Sequence, residues 1–472
     1  MNDYTLLELI ELLNKGIYTS CDLVNMYLKQ IQTYDTYLNA VAEINPDALS
    51  MAKDRDDERR NGHIRGPLHG IPLLIKDNIN TNDLMHTTAS SLALSDLHAN
   101  YNATIVDLLY NAGAVILGKT NLSEFAYFMS TEKMPSGYGS RHGQVKHPYH
   151  EKIDPLGSST GSAVSVAANM IPIAIGTETN GSLMAPAYQN SIVSIKPTLG
   201  MVSRYGIIPV SSQQDTAGPM AKTVADCAIL LEAISGYDPH DEITKDSLIY
   251  KESLGKSYLL PVTDKKVGIV SFKNYPYKDE DLKILLEAKD KLSQAGIYTI
   301  DIEIELEDLK NFDTLVYEFK HDINLYLKTI TGQTRMKSLD DIINFNLEDP
   351  ERRLKHGQNI LVEANQTQGL HDEKYINMRK EKITKASLFE KLLKEHQCDA
   401  LISTYWLSFA PMYGNPSICV PAKALIDQTP KSIVFVGKKW DDATLISIAH
   451  TYEQLTKHRI PPKINNQMKE KR

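Results

Sequence analysis

Cysteine is scarce in this chain of 472 residues, which contains four. They are far apart, no two have Cys-x-x-Cys spacing, and none is clustered with histidine: Cys21, Cys227, Cys398 and Cys419. This spacing argues against a disulfide framework and against a zinc site, and it fits a reducing compartment.

Net positive charge and long apolar runs are also missing. The formal charge is −8, which argues against a general nucleic-acid binder because the net field does not attract phosphate. The net charge does not exclude a local basic patch. The first residues, 1–4, lack a basic n-region, and no apolar run approaches the length that spans a bilayer. We therefore expect a cytoplasmic protein without direct contact to nucleic acid or membrane.

Strand and helix patterns alternate along most of the chain. Amphipathic helices are predicted at 5–14 and from about 19 onward, and a charged helix at 373–395. Short apolar runs predict buried strands at 71–75, 114–118, 171–175, 267–272, 297–304, 400–404, 418–420 and 433–437. This alternation favours an α/β layer over separate helical and strand domains.

Two turns rich in serine and glycine stand out, at 157–162 and 176–182. An Ala/Val-rich segment of helical length, 163–170, and a short buried strand, 171–175, separate them. A tight helix–strand pair brings such turns close together. Hydroxyls and free backbone N–H groups would then converge on one point, which suits acyl transfer.

A lysine follows the first of the predicted interior strands. The run 71–75 is apolar, and Lys76 comes at its end, where burial is expected. Desolvation disfavours the ammonium form and lowers the pKa of a lysine, which makes the amine usable as a base.

Two other interpretations of these segments are disfavoured. The run 157–162 could begin a phosphate-binding helix, but it lacks the Gly-x-x-x-x-Gly-Lys-Ser/Thr pattern. His69 suggests a Ser-His-Asp site, but no Gly-x-Ser-x-Gly elbow surrounds Ser182. We expect Ser159 and Ser162 to act as helix-cap and turn residues, with a supporting role for Ser159 beside Ser158 left open.

Five short motifs follow one another along the chain. The major motifs are Gly-Ile-Pro-Leu-Leu-Ile-Lys-Asp-Asn at 70–78, Gly-Ser-Ser-Thr-Gly-Ser-Ala at 157–163 and Gly-Thr-Glu-Thr-Asn-Gly-Ser at 176–182. The lesser motifs are Gly-Lys-Thr-Asn at 118–121 and Asp-Thr-Ala-Gly-Pro-Met at 215–220. In this order the five motifs resemble the amidase signature family, most strongly over residues 66–238. The third motif, together with 136–144, is more similar to the peptide-amidase-type branch, which hydrolyses C-terminal amides of peptides.

The resemblance implies a Ser-cisSer-Lys triad. Lys76 would be the base, Ser158 the bridging serine on a cis peptide bond, and Ser182 the nucleophile. Backbone N–H groups at Thr179, Asn180, Gly181 and Ser182 would form the oxyanion hole, and Ala126 would lie in a loop near the substrate. The implied reaction converts a carboxamide to a carboxylate and ammonia or an amine through an acyl-enzyme, without metal or organic cofactor.

The resemblance also implies the architecture. We expect one α/β amidase domain over 1–472, with a mixed central β-sheet covered by helices on both faces. Within it, 1–65 would be N-terminal helices that either pack on the sheet or mediate a homodimer, and 66–238 the signature core. Residues 239–460 would form a divergent half that shapes the substrate pocket, and 461–472 a frayed tail.

Two positions depart from the common family pattern. Asn180 replaces the first glycine of Gly-Gly-Ser, and asparagine adopts positive φ less readily than glycine. The backbone angles of this turn therefore decide whether the expected donors can form. Met184 stands where much of the family has arginine, which makes recognition of an acidic substrate less expected.

Two other functions remain open from the sequence. One is an amidotransferase A-type subunit, which would use the same triad to release ammonia from glutamine for a partner acting on charged tRNA. The other is a binding scaffold that kept the fold and lost the activity.

Overall fold

The computed structural model describes residues 2–132, 134–251, 253–275, 277–305, 312–404, 409–424 and 429–464. Within them, an 11-stranded mixed sheet forms the centre of the protein. The strands in chain order are β1 (Val41–Ile44), β2 (Pro72–Lys76), β3 (Val115–Thr120), β4 (Tyr138–Gly139), β5 (Gly143–Gln144), β6 (Ile173–Glu178), β7 (Val193–Lys196), β8 (Thr216–Ala221), β9 (Lys266–Phe272), β10 (Tyr298–Ile304), β11 (Ala400–Ser403), β12 (Ser417–Ala424) and β13 (Pro430–Gly437).

Helices flank this sheet and connect its strands. In chain order they are α1 (Leu6–Asn14), α2 (Ser20–Leu38), α3 (Ala48–Arg60), α4 (Thr104–Asn111), α5 (Thr160–Ala167), α6 (Met184–Asn190), α7 (Val224–Ile234), α8 (Ser247–Tyr250), α9 (Asp279–Gln294), α10 (Phe312–Thr329), α11 (Leu339–Glu348), α12 (Pro350–Arg353), α13 (Asn359–Gln366), α14 (Glu373–Ala386), α15 (Leu388–Glu395), α16 (Phe409–Tyr413) and α17 (Asp442–Thr456). Short 3-10 turns are at Leu92–Leu94, Glu124–Tyr127, Glu242–Thr244 and Leu254–Leu259.

The strand order explains which chain segments meet. The central sheet runs β1-β3-β2-β6-β8-β7-β12-β13-β11-β9-β10, while β4 and β5 form a separate two-stranded ribbon. Strand β2 lies between parallel neighbours β3 and β6, and β6 is antiparallel to β8. Every residue of β2, β3, β6, β7 and β8 is buried, as expected for strands covered on both faces. The predicted mixed α/β sheet covered by helices is confirmed.

The N-terminal helices pack onto the main hydrophobic core. Helix α1 begins with a capping box of Thr5 and Glu8, and it buries Leu6, Leu9 and Leu13. These leucines belong to one continuous cluster of buried side chains that extends to Ile464. Helices α2 and α3 contact strands β2 and β3, so the N-terminal helices pack on the sheet and its core, the first of the two expected arrangements. The expected homodimer stays a prediction.

One predicted helix is interrupted. The pattern at 373–395 predicts one helix, but the structure has α14 and α15 with Ser387 between them. The Ser387 hydroxyl donates to the Thr384 carbonyl at 2.7 Å. Serine hydroxyls that bond to nearby backbone compete with continuous helix geometry, and apolar periodicity does not report such a break.

Two further features concern the cysteines and membrane contact. All four cysteines are free thiols. None of the helices in the described ranges is both long enough and apolar enough to cross a bilayer.

A substitution in α1 tests whether this helix is part of the domain core. Leu9 is fully buried, whereas Leu7 on the same helix is 39% exposed. We expect Leu9→Ala to lower the free energy of unfolding by about 2–5 kcal/mol, because it leaves a cavity. The matched Leu7→Ala should change it by less than about 0.5 kcal/mol.

Urea unfolding followed by far-UV circular dichroism measures both variants. For one domain over 1–472 we expect a single transition that moves as a whole in Leu9→Ala. A separate early transition, with the main one unchanged, would show that the N-terminal helices fold independently.

Candidate active site

Two parallel strands bring the first site residues together. Strands β2 and β6 are neighbours, with Leu74 opposite Ala174 and Ile75 opposite Ile175. The carboxyl ends of parallel strands reach the same edge of a sheet, where loops and helix starts form sites. Lys76 ends β2, and Thr177 lies near the end of β6.

The amine of Lys76 is completely buried among hydroxyl and carbonyl groups. Its Nζ lies 2.9 Å from Ser158 Oγ and 3.0 Å from Ser159 Oγ. It also lies 2.9 Å from Thr177 Oγ1 and 3.2 Å from the Thr177 carbonyl oxygen. None of these partners is a carboxylate, so no contacting group holds the amine in its charged form.

The hydrogen-bond partners of these groups suit a neutral amine. The Ser159 hydroxyl donates to the Thr177 carbonyl at 2.9 Å, so its oxygen can only accept from Lys76. The two N–H groups of a neutral amine can then donate to Ser159 and Thr177. The amine lone pair is left to accept from the Ser158 hydroxyl.

Burial also shifts the pKa of Lys76. Desolvation lowers this pKa to about 7, and the negative charges of Asp215 and Glu178 offset only part of the effect. A neutral fraction of Lys76 is therefore available near neutral pH, as the sequence predicts for a buried lysine at this strand end.

Ser158 lies just before α5, and the Gly157–Ser158 peptide bond is cis, as expected from the resemblance. Its side chain is buried against the Lys76 amine. Within the described residues, the Ser158 and Ser182 hydroxyls are not hydrogen-bonded to each other. The backbone joins the two segments instead, because the Ser159 N–H donates to the Ser182 carbonyl at 3.2 Å.

Ser159 and Ser162 differ from the expected cap and turn roles. Ser159 occupies the N-cap position of α5, but its side chain makes no capping bond; it contacts Lys76 and Thr177 instead. The Ser162 hydroxyl donates to the Ile175 carbonyl at 3.0 Å. Both hydroxyls therefore attach α5 to β6, and a local sequence pattern does not report such contacts across the fold.

The turn between β6 and α6 presents backbone donors. In the part of the chain that the structure describes, the N–H groups of Thr179, Asn180, Gly181 and Ser182 donate to no protein acceptor. Gly181 has φ +82°, whereas Asn180 is not among the residues with positive φ. The glycine thus takes the conformation that asparagine disfavours, and Asn180 is compatible with the turn.

Carboxylates hold this turn at both ends. Glu178 Oε2 accepts from the N–H groups of Leu183 and Met184, at 2.8 and 3.1 Å. Asp215 accepts from the Thr179 hydroxyl at 2.5 Å. The bond from Thr179 favours the ionised form of Asp215, but desolvation outweighs it and raises the pKa of this carboxyl to about 7. Because it accepts from Leu183 and Met184, Glu178, whose role the sequence leaves undecided, caps the start of α6.

Ser182 borders a groove of about 540 Å³. The turn 179–181, Phe128, Phe312 and Leu315 contribute to its walls. None of the described residues that line the groove carries a charged side chain. An apolar, uncharged ligand segment next to Ser182 suits these walls.

Ala126, which the resemblance implies to be near the substrate, lies beside the groove. It borders both the groove and a second cavity of about 260 Å³, and Thr179 and Val210 also border both. The second cavity differs chemically, because Asp215 and the Arg204–Asp241 ion pair lie along it. Charge is thus confined to the cavity away from Ser182.

Comparison with known proteins identifies the family of this chain. A family model described as Amidase matches residues 22–446. The chain belongs to the amidase family. It is a hydrolase that acts on amide C–N bonds.

The relatives of this amidase cover almost its whole length. The crystal structure of native peptide amidase from Stenotrophomonas maltophilia is 39% identical, covers 98% of each chain and has a TM-score of 0.91. A probable amidase of Arabidopsis thaliana is 38% identical over 460 residues, which are 95% of this chain and 89% of the relative. A glutamyl-tRNA(Gln) amidotransferase subunit of Natranaerobius thermophilus is 30% identical over 499 residues, with 96% of each chain covered.

Sequence reasoning missed three polar side chains of this amidase site. Thr177 contacts the Lys76 amine, Asn78 donates to Thr177 Oγ1 at 3.0 Å, and Asp215 accepts from Thr179. All three lie inside or next to the quoted motifs. Their positions were therefore visible in the sequence, but their contacts depend on which strands are neighbours.

Proposed function

We propose that this amidase hydrolyses the C-terminal carboxamide of peptides, with Lys76 as base, Ser158 as bridge and Ser182 as nucleophile. The observation that carries the proposal is the 2.9 Å contact between the buried Lys76 amine and the Ser158 hydroxyl. A neutral amine in this position can accept a proton from a serine that otherwise ionises far above neutral pH.

The first half of the reaction forms the acyl-enzyme. Lys76 accepts the Ser158 proton while Ser158 accepts the Ser182 proton, and Ser182 Oγ bonds to the amide carbon. This step requires Ser158 and Ser182 to come within hydrogen-bond distance, and catalytic hydrogen bonds commonly tighten only when substrate is bound. The proton then returns along the relay to the amide nitrogen, the C–N bond breaks, and ammonia leaves.

The negative charge of the tetrahedral intermediate needs donors. Residues 179–182 border the groove next to Ser182, and their N–H groups donate to no acceptor in the described part of the chain, so they suit an oxyanion hole. Fixed donors of this kind contribute about 2.7–4 kcal/mol each to transition-state stabilisation in a well-studied serine hydrolase. In the second half, water attacks the ester, the carboxylic acid leaves, and the Ser182 hydroxyl is restored.

The groove supports an uncharged acyl residue. Phe128, Phe312 and Leu315 line it, and a charged substrate side chain there would lose hydration without gaining a partner. Met184 supplies no cation for an acidic substrate. The similarity to a protein described as a peptide amidase supports the peptide class.

Replacing the proposed base tests the relay. We expect Lys76→Met to lower kcat about 10²- to 10⁴-fold, because it removes the general base. Labelling of Ser182 by a fluorophosphonate, measured by peptide mass spectrometry, should slow in parallel. Turnover within tenfold of the wild type in folded Lys76→Met protein would rule out Lys76 as the base.

A second buried lysine provides the control for this variant. Lys119 is also fully buried, and desolvation lowers its pKa to about 8. Its amine contacts the Ile79 carbonyl and Thr87 Oγ1 instead of a site serine. We expect Lys119→Met to reduce thermal stability while it keeps much more turnover than Lys76→Met.

The proposed base also predicts the pH dependence. Only neutral Lys76 can accept the proton, so kcat/KM should fall roughly tenfold per pH unit below the Lys76 pKa of about 7. The substrates should be N-acetylated peptide amides without titratable side chains, so that the fall in kcat/KM at acidic pH can be assigned to the enzyme. A profile that stays flat to pH 5 in stably folded protein would contradict the relay.

A substrate panel tests the apolar groove. We expect kcat/KM for N-acetyl-phenylalaninamide and N-acetyl-leucinamide to exceed that for N-acetyl-aspartamide (the α-amide) by about 10²-fold, because the groove offers no partner for a carboxylate. A preference for free glutamine would instead favour the amidotransferase-type function.

Two leucines on α10 show which cavity holds the apolar side chain. Leu315 lines the groove, whereas Leu325 lines the second cavity. We expect Leu315→Ala to lower kcat/KM for the phenylalanine amide several-fold more than Leu325→Ala does. The reverse order would place the substrate side chain in the second cavity.

A further inference from the structure

Thr179 is held from two sides by consecutive residues that are distant from it in sequence. Asp215 accepts from the Thr179 hydroxyl at 2.5 Å, and Gln214 Nε2 donates to the Thr179 carbonyl at 3.1 Å. Strand pairing brings these residues together, because β6 and β8 are antiparallel with Glu178 opposite Thr216. Thr179 and Gln214–Asp215 each lie immediately outside that pair.

The Gln214 bond determines which way one backbone donor points. In a trans peptide unit, the C=O of one residue and the N–H of the next point in opposite directions. Because the Thr179 carbonyl is turned toward Gln214, the Asn180 N–H is directed to the other side. That N–H has no protein acceptor within the described chain, and Asn180 borders the groove beside Ser182.

Asp215 also contacts a second segment that borders the groove. Its second oxygen accepts from the N–H groups of Val210 and Ser211, both at 2.8 Å. Val210 borders the same groove as Thr179. One carboxylate therefore joins two segments that border the groove, and Glu178 holds the far end of the turn through Leu183 and Met184.

We propose that Gln214 and Asp215 are positioning residues for the oxyanion turn and act through the carbonyl and hydroxyl of Thr179. The proposal rests on the function proposed above for that turn. Neither side chain needs to touch the reacting atoms. Fixed donors are effective because they need no reorganisation during the reaction, and a displacement of about 1 Å costs about 10²-fold in rate.

A pair of Thr179 variants tests the Asp215 contact. Thr179→Val keeps the shape of the side chain but removes the hydroxyl, whereas Thr179→Ser keeps the hydroxyl. We expect Thr179→Val to lower kcat about 10- to 100-fold with KM changed less than about threefold. If kcat falls 100-fold in Thr179→Val, kcat of Thr179→Ser should be at least tenfold higher than that of Thr179→Val, because the serine hydroxyl can still donate to Asp215.

Two neighbouring glutamines test the Gln214 contact. We expect Gln214→Ala to lower kcat about tenfold. Gln213 is the matched control, since among the described residues its side-chain amide makes only a long contact of 3.4 Å with Ser212 Oγ, and it borders neither cavity. Gln213→Ala should keep kcat within about twofold of the wild type.

Steady-state kinetics on N-acetyl-phenylalaninamide, with thermal unfolding of each variant, separate the outcomes. Equal losses in Thr179→Val and Thr179→Ser, or equal effects of Gln214→Ala and Gln213→Ala, would overturn the proposal. So would losses that appear only in KM. Full activity of Lys76→Met, or no labelling of Ser182 in the wild type, would instead refute the proposed function.

Discussion

The site depends on a lysine amine that the fold removes from water. Lys76 ends an interior strand, and its Nζ is surrounded by two serine hydroxyls and by the hydroxyl and carbonyl of Thr177. These groups satisfy its hydrogen bonds without neutralising its charge. Desolvation therefore dominates and lowers the pKa of the amine to about 7. Glu178 and Asp215 act on it from a distance, and they limit the shift rather than cancel it.

The surrounding polar groups are arranged to keep that amine in place. Ser159 and Thr177 bond to each other as well as to Lys76, so residues at the start of α5 and near the end of β6 jointly fix the position of the amine. Ser158, in contrast, contacts only Lys76 among the side-chain hydrogen bonds of the described residues. Of the two serines that contact the amine, Ser158 has fewer competing partners and is better suited to pass a proton, which agrees with the proposed bridging role.

Charge is distributed unevenly around the site. The described residues that line the groove beside Ser182 are uncharged, whereas carboxylates and the Arg204–Asp241 pair lie along the neighbouring cavity. Asp215 joins two segments that border both regions, because it accepts from the Thr179 hydroxyl and from the Val210 and Ser211 N–H groups. A carboxylate can thus stabilise the turn next to the groove without placing a charge on the groove surface.

The sequence by itself identified the family, the α/β class and the residues Lys76, Ser158 and Ser182, because each motif is local and its order along the chain is specific. It also indicated the burial of Lys76, since an apolar run precedes it. The roles of those residues stay predictions.

Only the tertiary structure decided the contacts among distant segments. Thr177 meets Lys76 because β2 and β6 are neighbours, and Gln214 and Asp215 reach Thr179 because β8 pairs with β6. Phe312 and Leu315, from a helix more than a hundred residues beyond Ser182 in the sequence, complete the groove. Such contacts depend on strand order and packing, which local periodicity does not encode. The positive φ of Gly181 is likewise a property of the folded turn, and it makes Asn180 acceptable there.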